Sequence, residues 1–496
     1  MNNSFRNIPF LLLFFAAGIF SVQSQTVIPG MDVIDSKAML KTVQTLSAPE
    51  MEGRQPGSPG YERAVSFMVE SFETLGLQQA GEDGFLQHVP AEYVAIAETP
   101  ELFIIDGQSN PQAYSIGSDF VCRGLTGFGN VTAPVVFCGY GISEPAAGYD
   151  DYAGIDVKGK IVLVFKQNPD WKLEGLDLTN KYNRYRANVA AAHGAVALLM
   201  VSTPLSKDPQ KPIGSLMDGD GKYDINMPQI HVSIDVAEDF LEGSVINLKS
   251  LQAQIDSLKR PHSLALTSSA HIIIQGEYVA EKTSDNVVAL LPGSDPELSK
   301  QYIVISAHLD HVGMQGAGLV FPGANDNASG SAAVLQLARA FVKSAIEPRM
   351  SVLFVLYTGE EQGLVGSDYF AQHLPFPPEQ ITAAFNLDCI AYGDSIQVGG
   401  GKSNPVLWNI ARTQDSLNAR RMIKSTWGGG GADLTALFNK GVPGLYFASR
   451  YSYTHLHLPS DTPETLNPAL YQEMVRLVYR VTRIVSDGDY EREKVK

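Results

Sequence analysis

The sequence predicts an α/β protein: a three-layer sandwich with a mostly parallel central sheet, interrupted by a smaller β-rich insert. Three observations predict it. From about residue 263 onward, short apolar runs ("QYIVISA", "SVLFVLY", "AAFNLD", "PGLYFA") alternate with amphipathic helical stretches. Each run has the length of a strand covered on both faces. The block from 112 to 262 lacks that alternation and carries strand-like runs such as "APVVFCGYG" and "GKIVLVFKQ" among Gly, Pro and Asp.

The N-terminus opens with a cationic Arg6 and an apolar run from Ile8 to Phe20, followed by small residues with Val22 and Ser24 in cleavage-site positions. That is a signal-peptide pattern over residues 1–24, with a mature start near Gln25. The run is too short to span a bilayer, which takes about 20 residues. An exported protein, periplasmic or extracellular and free of the membrane after cleavage, is expected. Next, "GRQPGSPGYERAVSFMVESFETLGLQ" reads as a turn and then a helix, with Tyr61, Val65, Met68, Phe72 and Leu75 on one stripe and Gly76 as its stop. In the middle block, "ANVAAAHGAVALLMVS" reads as a helical stretch. Beyond it, Val334, Leu337, Ala338 and Phe341 form one helical stripe, and Leu470, Met474, Leu477, Val481 and Ile484 another. "VGGGKSN" ends like a phosphate loop, but Ile396 stands where that loop needs glycine, so a strand-to-helix turn is expected.

Composition narrows the function. The 496 residues, 44% hydrophobic and 18% charged, suit a globular chain of two or three domains. A formal charge of −16 argues against nucleic acid, whose phosphates need clustered Lys and Arg. Three cysteines, Cys122, Cys138 and Cys389, make no disulfide framework; Cys122 and Cys138 are either a pair or two buried apolar residues.

The polar residues at the strand ends carry the chemistry, because sheets of this kind gather it there. His308 and Asp310 follow "YIVISA", and Asp326 sits in the turn "FPGANDNASG". Glu360 and Glu361 end "SVLFVLY", Asp388 ends "AAFNLD", and "THLHLPSDT" supplies His455, His457 and Asp461. Each alone is weak evidence, since a lone strand-end histidine is usually structural. Their recurrence after successive strands is not. Two histidines with three carboxylates suit zinc. With one carboxylate shared, two ions can sit about 3.5–4 Å apart. Adjacent glutamates then make sense: if Glu361 binds metal, Glu360 is left to act as a base.

In this order, "HLDHVG", "GANDNASG", "TGEEQGLVGS", "NLD" and "HLPSDT" closely resemble the motifs of the co-catalytic dizinc aminopeptidases. That family also contains glutaminyl cyclases, glutamate carboxypeptidase and the transferrin receptor. The resemblance covers roughly residues 35–110 and 263–485, including "GRQPGSPG", and the middle block is similar to a protease-associated domain. It implies a discontinuous catalytic domain (25–111 and 263–496) around an inserted domain (112–262). It also implies two zinc ions: Asp326 bridging, His308 and Asp388 completing one site, Glu361 and His457 the other. His457 is preferred to His455 because it fits H-x-x-x-D-T with Asp461 and Thr462. Asp310 would hold the His308 tautomer, and Glu360 would be the general base. Asp433 matches the Asp of an S-D-H motif whose flanks here are Ala432 and Leu434. Where many relatives have a tyrosine for the oxyanion, this chain has Gly428–Gly431, and Gly429 and Asp433 are expected either behind the metal ligands, supporting them, or at the substrate. The implied substrates are peptides with free N-termini. A carboxypeptidase or dipeptidase of the same family is the alternative, with Arg420, Arg421, Lys424 and Arg450 as candidate carboxylate binders. A glutaminyl cyclase, which by resemblance lacks the first histidine, or a binding protein that has lost its ligands, fits less well.

Overall fold

The computed structural model describes residues 28–105, 111–179, 181–217, 219 and 221–495. The expected signal peptide lies outside the described residues. Seven strands frame the first sheet: β1 (Leu86–Ile96), β2 (Gly276–Leu291), β3 (Tyr302–His308), β4 (Ser351–Tyr357), β5 (Ile381–Leu387), β6 (Ile396–Gly399) and β7 (Gly444–Ser449). Their order is β2-β4-β3-β5-β7-β6, with β1 and the short strand Gln78–Gln79 both paired to β2. The centre, β4-β3-β5-β7, is parallel, while β2 and β6 join it antiparallel. The sheet is therefore mixed, parallel only where helical crossovers link the strands.

Alternate residues of these strands feed opposite faces. Ile303, Ile305, Val352, Phe354, Leu356, Phe385 and Phe447 pack into a large core. Helices Ser36–Leu46, Pro59–Thr74, Gly330–Lys343, Pro405–Leu417 and Pro468–Ser486 contribute its other wall. Val304, Leu353, Val355, Tyr357 and Tyr446 face a smaller core under helices Val365–Gln372 and Leu434–Asn439. This two-sided burial explains why the strands read as unbroken apolar runs. The helix at Pro59–Thr74 is capped by Ser58 and stops before Gly76, which sits at φ 74°. The "GGGKSN" segment is the turn between β6 and helix Pro405–Leu417, as its sequence predicts.

β1 and β2 form a long antiparallel ribbon through which the chain leaves the first sheet and returns. Between them lies a second eight-stranded sheet. It takes in Glu101–Ile105 and Ser263–Ile274, so it reaches past the 112–262 expected for the insert on both sides. Those flanks pair with each other, and Ser263–Ile274 also pairs with Gly129–Cys138, which holds both in the second sheet. The stretch 187–202 is not one helix. Helix Asn183–Ala192 ends before Gly194 (φ 85°), and Ala197–Val201 is a buried strand between parallel neighbours. An apolar run of five residues fits either element by pattern alone. Cys122, Cys138 and Cys389 are separate buried thiols. Among the described residues no helix is long and apolar enough to cross a membrane.

Candidate metal centre

Parallel register sets the site. His308 lies opposite Tyr357, so the exits of β3 and β4 are level, and β5 ends beside them with Asp388 next. Four chain segments then converge on one carboxylate. Asp326 Oδ1 lies 3.3 Å from His308 Nε2, which is 3.5 Å from Asp388 Oδ1. Asp326 Oδ2 lies 3.1 Å from His457 Nε2, which is 3.0 Å from Glu361 Oε2. Each oxygen of Asp326 thus serves a different donor set. His311 joins the second, with Nδ1 2.9 Å from Glu361 Oε1 and 3.7 Å from Asp326 Oδ2. All five residues expected as metal ligands are brought together; His455 instead contacts Ser460 at 2.9 Å.

The donor sets fit zinc. Ligand atoms about 2.0–2.1 Å from a tetrahedral ion lie roughly 3.3 Å from one another. The separations here, 3.0–3.5 Å, match that spacing. Asp388 Oδ1 is also buried with no hydrogen-bond partner, an acceptor that a cation would satisfy.

A frame of hydrogen bonds holds the ligands. Asp461 accepts from the main-chain N–H of Asn325 (2.9 Å) and Asp326 (3.0 Å), fixing the turn that presents Asp326. Tyr446 donates its hydroxyl to Asp388 Oδ2 at 2.8 Å, leaving Oδ1 to face His308. Arg54, fully buried, donates to the carbonyls of Leu46, Leu309, Pro322 and Gly323, tying the β3 exit to the Asp326 turn. Burial lowers its pKa to about 10, although Asp326, Asp461, Asp310 and Glu361 pull the other way. Asp310 orients His308 differently from expectation. Its main-chain carbonyl accepts from His308 Nδ1–H at 3.2 Å, while its carboxylate is 3.7 Å away. That carboxylate accepts instead from the N–H groups of Glu360 (3.2 Å) and Glu361 (3.3 Å), bracing the glutamate turn.

The two glutamates differ electrically. Burial alone would raise Glu361, but His457 and His311 outweigh it and hold its pKa at about 2. Glu360 is pushed well above the usual carboxylate range, first by burial and then by Glu361, Asp433 and Asp388, against the pull of His308. Burial opposes protonation of His457, yet Glu361 and Asp326 raise it to about 10. Neighbouring carboxylates driven apart in this way take different roles.

The ligands floor a cavity of about 390 Å³ whose walls include Trp427, Tyr446, Tyr453, Leu456 and Met217. Gly431 and Ala432 reach it, but Gly429 and Asp433 do not line it. Gly429 donates its N–H to Ser403 Oγ at 2.9 Å, which turns it away from substrate. Asp433 is fully buried behind the wall, where desolvation raises its pKa to about 7.

Fold and site together define a class: an α/β sandwich whose strand ends hold two cation-binding donor sets joined by one carboxylate. Residues 286–482 match the model of peptidase family M28, and residues 131–240 match that of the PA domain. Residues 286–482 are thus an M28-type peptidase region, and residues 131–240, ahead of it in the chain, are a PA domain. The chain is 27% identical over 201 residues to a probable leucine aminopeptidase of Trichophyton verrucosum (strain HKI 0517), covering 39% of this chain and 55% of that protein. The chain thus spans about half the length of such curated relatives. An aminopeptidase of Pseudomonas aeruginosa (strain UCBPP-PA14) is 25% identical over 373 residues, 73% of this chain and 59% of its own length. Among solved structures, an aminopeptidase from Aneurinibacillus sp. strain AM-1 superposes with a TM-score of 0.64 at 20% identity, covering 94% of this chain and 98% of that one. A Peptidase M28 precursor from Shewanella amazonensis SB2B gives 0.65 at 19%, covering 94% and 99%. These likenesses establish the fold.

Proposed function

We propose that this protein is an exported aminopeptidase that removes N-terminal residues from peptides, using two zinc ions and Glu360 as general base. The observation that carries the reading is the divided Asp326 carboxylate, with one oxygen toward each donor set. Two zinc ions would be held by His308, Asp326 and Asp388 and by Asp326, Glu361 and His457, with His311 beside the second set. When bound, they supply Lewis-acid activation of the scissile carbonyl and of water. Glu360, at the cavity wall with a raised proton affinity, accepts the water's proton and passes it to the leaving amine. Tyr446, Asp461 and the Asp310 carbonyl keep Asp388, Asp326 and His308 aimed. The apolar and aromatic walls shut out water and favour a neutral side chain on the residue removed. Export rests on Arg6 and the Ile8–Phe20 run.

One further observation separates aminopeptidase from carboxypeptidase. A carboxypeptidase needs a cation for the substrate's C-terminal carboxylate, and no Lys or Arg is among the described residues that line the cavity. Arg421 donates to the Asp394 carbonyl, and Arg450 stacks on the Tyr451 ring. The test is mass spectrometry of peptides offered free, N-acetylated and C-terminally amidated, with and without chelator. Chelator-sensitive loss of single residues from free N-termini, with acetylated peptides intact, is expected. Shortening from the C-terminus, blocked by amidation, would overturn the reading.

A further inference from the structure

We infer that the inserted domain is a positioning part of the metal centre: the main-chain carbonyl of Gly214 fixes the ring of His457 so that Nε2 faces Asp326 and Glu361. The inference rests on the metal-centre reading above. A ligating imidazole is aimed by whatever accepts from its other nitrogen. For His308 that acceptor is the Asp310 carbonyl, on the same domain. For His457 it is the carbonyl of Gly214, 3.0 Å from Nδ1 and 243 residues away in the chain. The contact is reciprocal, because Gly214 N–H donates to the His457 carbonyl at 3.1 Å. His457 also has φ 55°, a left-handed conformation that a histidine seldom adopts unless its surroundings hold it there. Gly214 supplies both the backbone and the ring with a partner.

The insert grips this loop from its own side. Ile213 N–H donates to His231 Nδ1 at 3.2 Å, and Gly124 N–H donates to the Ser215 carbonyl at 3.0 Å. The next residues, Ser215 and Met217, line the cavity. Docking onto the peptidase is specific. Val121 and Leu216 of the insert pack on Val312 and Phe321 in a small buried cluster. Gln315 extends its buried amide to the insert, accepting from Cys122 N–H at 2.8 Å and donating to the Cys122 carbonyl at 2.7 Å. One donor set is therefore built wholly within the peptidase sheet, while the other depends on the position of the insert.

Gly214→Ala tests this. A Cβ there would stand 3.0 Å from Val312 Cγ2 and 3.1 Å from Phe321 Cζ, closer than side chains ordinarily pack, and the shift of a few tenths of an ångström that relieves it disturbs the loop's seat beside His457. Zinc affinity of the purified protein is measured by competition with a chromophoric chelator. One equivalent should weaken about 10–100-fold, while the other keeps its wild-type affinity. Gln315→Leu, remote from the ligands, should weaken the same equivalent by loosening the docking, and it carries the test if Gly214→Ala does not fold. Two equivalents bound with wild-type affinity by a folded Gly214→Ala protein would overturn the inference. So would an equal loss at both sites. These readouts use no peptide, so failure of the proposed aminopeptidase activity leaves them intact.

Discussion

Glu360 and Glu361 share one turn and one brace, the Asp310 carboxylate, yet their surroundings assign them opposite tasks. Glu361 is held ionised by two histidines, whereas Glu360 faces the cavity among like charges. Glu360→Gln should therefore keep its zinc and lose about 10²–10⁴ in kcat, the usual cost of a general base. Metal analysis beside steady-state kinetics checks this, and a variant that loses zinc but keeps turnover per bound site would exchange the two roles. Tyr446→Phe removes a hydroxyl bonded to Asp388, so zinc affinity at the His308 set should fall about 10–100-fold in chelator competition. The five candidate ligands were legible because acids and histidines recur after successive apolar runs and in the turns that follow them. His311 was not, although "HLDH" places it three residues after His308, because one strand exit offers no sign of which neighbour turns inward. Tyr446 was hidden inside a strand, where an aromatic residue reads as core. Which of the four glycines meets the cavity was not legible either, since a run of identical residues carries no sign of it; Gly431 does.

At the level of elements, the four central strands and the helices Pro59–Thr74, Gly330–Lys343 and Pro468–Ser486 were legible to within a residue or two, since two-sided burial and helical stripes leave strong periodic signals. The antiparallel flanks were not, because strand direction is set by crossovers and not by composition. The insert's limits were missed for a similar reason: Glu101–Ile105 and Ser263–Ile274 join the second sheet only through partners distant in sequence. The turn 323–330 shows how one element depends on another. The N–H groups of Asn325 and Asp326 within it are held by the Asp461 carboxylate, well over a hundred residues later. Asp461→Asn would replace an acceptor oxygen with a donor facing a buried N–H, at a cost of about 1–3 kcal/mol. Because Asp326 serves both donor sets, both zinc equivalents should weaken together. Urea unfolding paired with metal titration would register this, and a loss confined to one equivalent would contradict the shared role of Asp326.

Across the whole molecule, the insert and the peptidase sheet meet at the β1–β2 ribbon, at the Gln315–Cys122 contact and at His457 itself. A ligand that binds only the folded state stabilises it by RT ln(1 + [L]/Kd), about 2.7 kcal/mol per site at one hundred times Kd. If the insert helps to build one site, that stabilisation cannot stop at the domain boundary. Hydrogen exchange along a urea series should show it both beside the ligands and in a strand far from them. Amides of Ile161–Phe165, at the centre of the insert's sheet, and of Tyr302–His308, which ends at His308, should both lose protection at higher urea with zinc than with chelator. The two shifts should be of similar size, because docking of the insert and filling of the His457 site are one equilibrium. A shift confined to Tyr302–His308 would mean that the insert unfolds on its own, with its grip on His457 released before the site empties.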